Sequence, residues 1–276
     1  MIKNFFGIIG KPLSHSLSPS IHNFWFKKYK IFASYSLIEI ELREIEGIIK
    51  KIKNKELRGI NVTVPYKQSV IPFVDSLIND AKETLSVNTI SLDEKGKIVG
   101  DNTDVYGLEN GFIKKINNQD LGKSEILILG AGGVTPSVIY ALSKLKIKKI
   151  FISNRTLKKA EELKKRFPII EIIEWENVET KIKNMDIIIN ATSLGLKGGS
   201  DFKQEIKTIK PNLVYYDIVY NPEETEMIKK LKAKGAKTFN GLEMFIYQAQ
   251  KSFFLWNKIN PELDNEVKRT LISNLK

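Results

Sequence analysis

The chain has no cysteine, which excludes disulfides and thiolate metal sites. Its two histidines, His15 and His22, argue against a zinc site, and no metal is expected. No apolar run approaches the roughly 18 residues that a membrane span needs. The opening Met1–Gly10 run is broken by Asn4, Gly7 and Gly10, with Pro12 just beyond, so it reads as a first strand and not as a signal peptide. A cytoplasmic protein without membrane contact is expected. Arginine is scarce, with only Arg43, Arg58, Arg155, Arg166 and Arg269 among 44 basic residues. Arginine is the usual base-reading and phosphate-forking side chain. The net charge of +12 comes from lysines such as Lys27/Lys28, Lys50/Lys51 and Lys164/Lys165, scattered at helix-surface spacing. No specific nucleic-acid partner is expected, although a basic surface helps to attract an anionic substrate and cofactor.

At 276 residues the chain suits two domains on a prior of about 150 residues each. Ile2–Gly10 reads as a strand, Pro12–Ser18 as a polar loop and Pro19–Tyr29 as a helix with Ile21, Phe24, Trp25 and Tyr29 on one face. Ser18 stands where a helix N-cap belongs, with Pro19 at the first helical position. Capping does not explain Ser16, two residues earlier on the same side of an extended segment. Two hydroxyls beside free N–H groups at a helix start would form a small carboxylate site. His15 points away from both and is no triad base. Ser34–Ile40 follows as a strand and Leu42–Lys53 as an amphipathic helix.

The stretch Asn61–Val62–Thr63–Val64–Pro65–Tyr66–Lys67 organises the rest. Gly59, Ile60, Val62, Thr63 and Val64 make a β-branched strand. Pro65 must end it and suits the first position of a short helical turn. Thr63 and Lys67 are thereby placed at a strand end, the usual place for a working residue. Alone, Lys67 reads as one more solvated lysine; its company argues otherwise. A short helical region at Asn79–Leu85 leads to a hairpin of Ser86–Leu92 and Lys97–Gly100 around Glu94–Gly96. Asn88–Thr89 falls within its first strand, where Asn needs a reason. Gly100–Asp101–Asn102–Thr103–Asp104 precedes a helix over Val105–Ile116. Asn102 or Thr103 serves as its cap, and more polar residues remain than capping requires.

Ser124–Leu129 is a buried parallel strand running into Gly130–Ala131–Gly132–Gly133–Val134–Thr135–Pro136. Gly130 permits a tight turn, and Gly132 lets backbone N–H groups approach a pyrophosphate at the start of a helix over Pro136–Leu145. The third glycine slot holds Thr135. Strands at Lys149–Ser153, Ile169–Ile173, Asp186–Asn190 and Leu213–Ile218, with a helix at Leu157–Arg166, complete a doubly wound parallel sheet. An NAD site would place Asp or Glu after the second strand. This chain has Asn154–Arg155–Thr156, which suits a 2′-phosphate and hence NADP. Asn190–Ala191–Thr192–Ser193–Leu194–Gly195 follows the fourth strand, where the loop should pass over the cofactor, and Asp217–Pro222 follows the fifth. Helices at Gly241–Trp256 and Pro261–Leu275 end the chain, and Met244, Phe245, Gln248, Ala249, Ser252 and Phe253 share one stripe of the first.

Taken in order from residue 16 to 249, these motifs resemble those of the shikimate dehydrogenase family: Ser16–Pro19, Asn61–Lys67, Asn88–Thr89, Asn102–Asp104, Gly130–Gly133, Asn154–Thr156, Asn190–Ser193 and Gly241–Met244 with Gln248–Ala249. The resemblance implies an α/β chain of two domains with a cleft between them. Residues 1–104 and 241–276 would form a mixed or parallel substrate domain, and residues 105–240 a Rossmann NADP-binding domain. The implied reaction is reversible NADPH-dependent reduction of 3-dehydroshikimate to shikimate, by a monomer or homodimer. Ser16, Ser18, Asn88 and Gln248 would hold the substrate, with Thr63 and Tyr220 assisting, and Lys67 and Asp104 would be the catalytic pair. Gly130, Ala131, Gly132, Gly133, Asn154, Arg155, Thr156, Thr192, Ser193, Gly241 and Met244 would hold NADP. Val134, Thr135, Pro136 and Glu243 depart from residues common in the family.

The chemistry agrees with that assignment. Ketone reduction puts negative charge on oxygen as hydride arrives, so a cation that can also give a proton belongs there. An ammonium does both, whereas a guanidinium does not readily release its proton. Two other readings use the same scaffold features. A quinate or amino-analogue dehydrogenase, possibly with NAD, is opposed by Asn154–Arg155–Thr156. A non-enzymatic dinucleotide-binding or nucleic-acid-associated module has no use for the polar set around Lys67.

Overall fold

The computed structural model describes residues 3–116, 121–145, 147, 149–203 and 206–275. The chain divides into two compact units, Met1–Gly107 with Ile246–Lys276, and Leu108–Phe245. The first unit opens with β1 (Asn4–Gly10), α1 (Ser18–Lys28), β2 (Ala33–Glu39), α2 (Ile45–Lys53) and β3 (Gly59–Val62). It continues through β4 (Ser76–Leu77), α3 (Asp80–Thr84), β5 (Thr89–Leu92), β6 (Ile98–Asp101) and α4 (Asp104–Leu108). Its sheet runs β2-β1-β3-β5-β6-β4. β1 pairs in parallel with β2 and β3, while β5 runs antiparallel to both β3 and β6.

α2 shows why these residues fold as they do. Ile45, Ile48, Ile49 and Ile52 recur at helical spacing and are all buried, forming one apolar stripe. They pack with Ile9, Ile60, Val62, Ile90 and other residues of one core. Burying each isoleucine contributes about 1.5–3 kcal/mol.

After α4 the helix continues as a π-helical turn over Glu109–Ile113 and then α5 (Lys114–Ile116). Gly111 permits that packing, because a Cβ there would lie 2.5 Å from the Met244 backbone nitrogen. The second unit then alternates β7 (Glu125–Leu129), α6 (Thr135–Ser143), β8 (Lys149–Ser153), α7 (Leu157–Arg166), β9 (Ile170–Ile172) and α8 (Val178–Ile182). β10 (Ile187–Asn190), β11 (Val214–Asp217), α9 (Glu226–Ala233) and β12 (Lys237–Phe239) follow. The sheet is wholly parallel, in the order β12-β11-β10-β7-β8-β9. Renumbered within this unit the order is 6-5-4-1-2-3, the doubly wound nucleotide-binding topology. Ile126, Leu127, Ile128 and Leu129 are buried throughout, as expected of a strand covered on both faces. α10 (Leu242–Asn257) and α11 (Asn265–Ser273) end the chain. No helix among the described residues is long and apolar enough to cross a membrane.

Several expected boundaries shift for local reasons. Ser18 is not an N-cap: Leu17, at φ −86° and ψ 3°, precedes the helix, and Ser18 is its first residue. β3 ends at Val62, so Thr63 already lies in the turn. The Val64–Pro65 peptide is cis, and the turn closes by Tyr66 N–H donating to Thr63 O at 2.9 Å, where a helical turn is expected. Asn88 precedes β5 and does not lie within it. α6 begins at Thr135. The last helix starts only at Asn265, where Asp264 accepts N–H bonds from Glu266 and Val267, both at 3.0 Å. Ile2, at the start of the expected first strand, lies outside the described residues.

His22, on α1, lies in an aromatic cluster of the first unit. Its ring is fully buried and stacks on Tyr35 at 4.4 Å, with Trp25, Phe253 and Trp256 around it. Neither ring nitrogen has a hydrogen-bond partner among the described residues. Burial lowers its pKa to about 3, so the folded chain keeps His22 neutral while the unfolded chain takes up a proton near pH 6.5. The unfolded state therefore binds more protons below pH 6.5, and stability falls as pH falls through that window. Between pH 7 and pH 5 the loss from this group is about 2 kcal/mol. In urea titrations, His22→Phe should show a correspondingly smaller pH dependence; parallel curves for the two proteins would contradict the assignment.

Candidate active site

The first unit brings Lys67, Asp104, Asn88 and Gln248 together. Lys67 Nζ lies 2.5 Å from Asp104 Oδ2, and the two side chains are only 10% and 6% exposed. Asn88 Nδ2 donates to the other carboxylate oxygen, Asp104 Oδ1, at 2.8 Å. The same amide nitrogen is 3.5 Å from Gln248 Oε1. Asp104 is the first residue of α4, and its backbone N–H donates to Asn102 Oδ1 at 3.0 Å. Asn102 thus does the capping that its position suggests. Thr103 turns inward, with its N–H donating to Asn88 Oδ1 at 2.8 Å. A buried lysine–carboxylate pair is a poor stabiliser, because desolvation offsets most of its attraction. A buried ammonium held by a carboxylate can stabilise developing negative charge and give up a proton.

The serine loop lies beside the Lys67 turn because β1 and β3 are parallel neighbours whose ends coincide. Lys11 N–H donates to Val64 O at 3.0 Å, and Thr63 N–H to Ile9 O at 2.9 Å. Gly10 must be glycine here, since a Cβ would lie 2.5 Å from Thr63 Cγ2. The Ser16 and Ser18 hydroxyls are 3.2 Å apart, and Ser18 N–H donates to Ser16 Oγ at 3.3 Å. The pair therefore converges as its spacing suggests, but that N–H is already taken by Ser16. Thr63 is half-buried at the same end of the sheet.

Beneath these residues lies a polar layer with little sequence signal. Asn61 is buried and donates through Nδ2 to Asn88 O, Thr89 Oγ1 and Ser252 Oγ, at 3.0, 3.1 and 3.0 Å. Its Oδ1 accepts from Tyr35 Oη at 2.7 Å. Ser252 Oγ also meets Thr89 Oγ1 at 2.8 Å and Thr103 Oγ1 at 3.1 Å, and donates to Gln248 O at 3.0 Å. One hydroxyl on α10 thus fixes the turn carrying Gln248 against the segments carrying Asn88 and Thr103. The available signal was Ser252 one helical turn beyond Gln248, on the same stripe.

The second unit holds the remaining expected residues, including Tyr220, whose ring lies 4.8 Å from Phe245. Gly130 has φ +105°, and a Cβ there would meet Thr192 Cγ2 at 2.7 Å. Gly132 is different: its nearest foreign atom, Ala191 O, is 4.0 Å from a built Cβ, so space stands open above the turn. Its N–H, however, donates to Thr135 Oγ1 at 3.1 Å, and that hydroxyl donates to Gly130 O at 3.0 Å. Thr135 in the third glycine slot thus braces the turn from within and occupies a donor that was expected to face a phosphate. Ala131 N–H donates to Asn154 Oδ1 at 3.1 Å, tying the glycine turn to the end of β8. Arg155 is exposed and makes no hydrogen bond or ion pair among the described residues, and Thr156 makes no side-chain cap bond to α7. A braced turn with open space above Gly132 and an unengaged guanidinium after β8 fit a dinucleotide with a 2′-phosphate.

After β10, Thr192 donates through N–H and Oγ1 to Asn190 Oδ1 at 3.1 and 2.6 Å, with Ser193 next along the loop. Gly241 N–H donates to Val219 O at 3.1 Å. Glu243 pairs with Lys115 at 2.7 Å, so this unusual residue is an ion-pair partner within its own unit. Met244 is buried.

Comparison with known proteins agrees with both halves. Residues 8–90 match the family model for the shikimate dehydrogenase substrate binding domain, and residues 113–237 the model for shikimate / quinate 5-dehydrogenase. The chain is 48% identical over 266 residues to a shikimate dehydrogenase (NADP(+)) of Pelagibacter ubique, covering 96% of this chain and 97% of that one. The structure of shikimate dehydrogenase from Aquifex aeolicus superposes with a TM-score of 0.88 at 36% identity, covering 98% and 99% of the two chains. Quinate dehydrogenase from Corynebacterium glutamicum, solved with NAD, gives 0.86 at 26% identity, covering 99% of each.

Proposed function

The chain belongs to the shikimate dehydrogenase family, and we propose that it reduces 3-dehydroshikimate to shikimate with NADPH, using Lys67 as proton donor. The observation that carries the roles is the buried Lys67–Asp104 contact at 2.5 Å, with Asn88 on the other carboxylate oxygen. NADPH supplies the hydride. Lys67 Nζ stabilises negative charge at the carbonyl oxygen and delivers a proton to it. Asp104 holds the ammonium in place, and Asn88 holds Asp104. Ser16 and Ser18 take the substrate carboxylate, while Asn88, Gln248, Thr63 and Tyr220 take its hydroxyls.

For the cofactor, the turn at Gly130, Ala131, Gly132 and Gly133 would take the pyrophosphate, and Asn154, Arg155 and Thr156 the 2′-phosphate. Thr192, Ser193, Gly241 and Met244 would take the remainder. We place the reaction in the cytoplasm, where a soluble dinucleotide and a small acid are both available. The direct test follows NADPH absorbance with 3-dehydroshikimate and, separately, with 3-dehydroquinate. Rapid turnover of the first and slow turnover of the second is expected. Preference for 3-dehydroquinate would move the chain to the quinate branch represented by the Corynebacterium enzyme.

A further inference from the structure

Asp217, at the end of β11, is fully buried, and its carboxylate accepts four hydrogen bonds. Oδ1 accepts from Asn190 Nδ2 at 2.9 Å and from Val219 N–H at 3.1 Å. Oδ2 accepts from Tyr215 Oη at 3.0 Å and Thr225 Oγ1 at 2.8 Å. Tyr215 lies on β11 itself; the other three partners lead to different segments. Asn190, opposite Asp217 in the β10–β11 register, holds both Thr192 donors and donates to Leu194 O at 3.0 Å. Val219 accepts the Gly241 N–H at 3.1 Å, and Gly241 sits so close that a Cβ would fall 1.9 Å from Ile218 O. Thr225 caps α9 by accepting from Ile228 N–H at 3.3 Å. It also backs Gly195, whose Cβ would lie 3.0 Å from it. One carboxylate therefore fastens the segments following β10, β11 and β12 together with the start of α9.

A doubly wound sheet has two mononucleotide halves. The half containing β7 to β9 carries Arg155 after β8, which suits the adenosine 2′-phosphate. The half containing β10 to β12 is left for the nicotinamide nucleotide, and its loops are the ones that converge on Asp217. We propose that Asp217 is a positioning residue for the nicotinamide half of the cofactor site, acting through Asn190 on Thr192 and through Val219 on Tyr220 and Gly241. The inference rests on the NADP reading above. A carboxylate is a costly choice for mere packing here. Burial raises the Asp217 pKa to about 6, above its unfolded value of 3.8. Any stability from this group is present below pH 3.8 and lost as pH rises through 6. At neutral pH the charged group therefore costs stability, so its use lies in the four donors it orients.

The test compares wild type with Asp217→Asn, which keeps the shape but turns one acceptor into a donor. Binding of NADP+ and of adenosine 2′,5′-bisphosphate is measured by calorimetry, with kcat and KM for NADPH alongside. We expect NADP+ affinity and kcat/KM for NADPH to fall at least tenfold, with bisphosphate affinity within twofold of wild type. Unchanged NADP+ affinity and kinetics, or equal weakening of both ligands, would overturn the inference. Wild-type protein that binds neither ligand would overturn the cofactor reading and this inference with it. Should Asp217→Asn fail to fold, Thr225→Val removes a single donor, and a three- to tenfold loss for NADP+ alone is expected. Equal affinities in that variant would overturn the proposal.

Discussion

Lys67→Ala should reduce kcat by roughly 10²–10⁴-fold, the usual scale of general acid–base catalysis, with KM for shikimate changed much less. The split follows from the proposed roles: Ser16, Ser18, Asn88 and Gln248 would remain to hold the substrate, while the proton donor would be gone. The Lys67 side chain is only 10% exposed, so bulk water has limited access to replace it. Lys67→Arg should rescue little. Guanidinium keeps the charge, but it presents a planar fork where the pocket holds a point donor, and it does not release its proton at working pH. Steady-state kinetics in both directions read this directly. Near-normal kcat in Lys67→Ala would remove the lysine from the mechanism.

Arg155→Ala should weaken NADPH by about 1–3 kcal/mol, or roughly 5- to 150-fold, the range for a lost hydrogen bond to a charged group. NADH should be unaffected, because it has no 2′-phosphate to lose. Arg155 is exposed and otherwise unengaged, so the variant should fold with unchanged stability. Asn154→Ala should show a smaller selectivity than Arg155→Ala, since the Asn154 side chain also accepts from Ala131 N–H and donates to Thr156 O. The ratio of kcat/KM for NADPH to that for NADH measures the effect. Equal values for the two cofactors in wild type would contradict the role assigned to Arg155.

The nucleotide-binding unit was the more legible of the two. Its central strands, β7 and β10, are nearly continuous apolar runs, because both faces of a parallel sheet are covered. Gly130 marks the first turn because its φ of +105° strains any other residue. Lys67, Asp104, Asn88 and Gln248 were legible as a pattern of motifs, but no spacing rule could show that they converge. Asn61 and Ser252 are 191 residues apart, and only the fold makes them neighbours. Ser18 misled for a physical reason: serine before proline reads as a cap, yet the chain turns helical one residue early, so Ser16 takes the N–H. Thr135 read as a missing glycine, whereas its hydroxyl braces the very turn that a third glycine would only have allowed. Asp217 carries no spacing signal of its surroundings, because the four donors that meet it come from positions 190, 215, 219 and 225.

In the proposed mechanism Lys67 and Asp104 work as one proton-donating unit. A double-mutant cycle of Lys67→Ala and Asp104→Asn, read as kcat for shikimate oxidation and 3-dehydroshikimate reduction, tests it most directly. Asp104→Asn should be nearly as damaging as Lys67→Ala, and the double variant little worse than either, since groups acting together lose their function only once. Losses that multiply in the double variant would show independent roles and contradict the account.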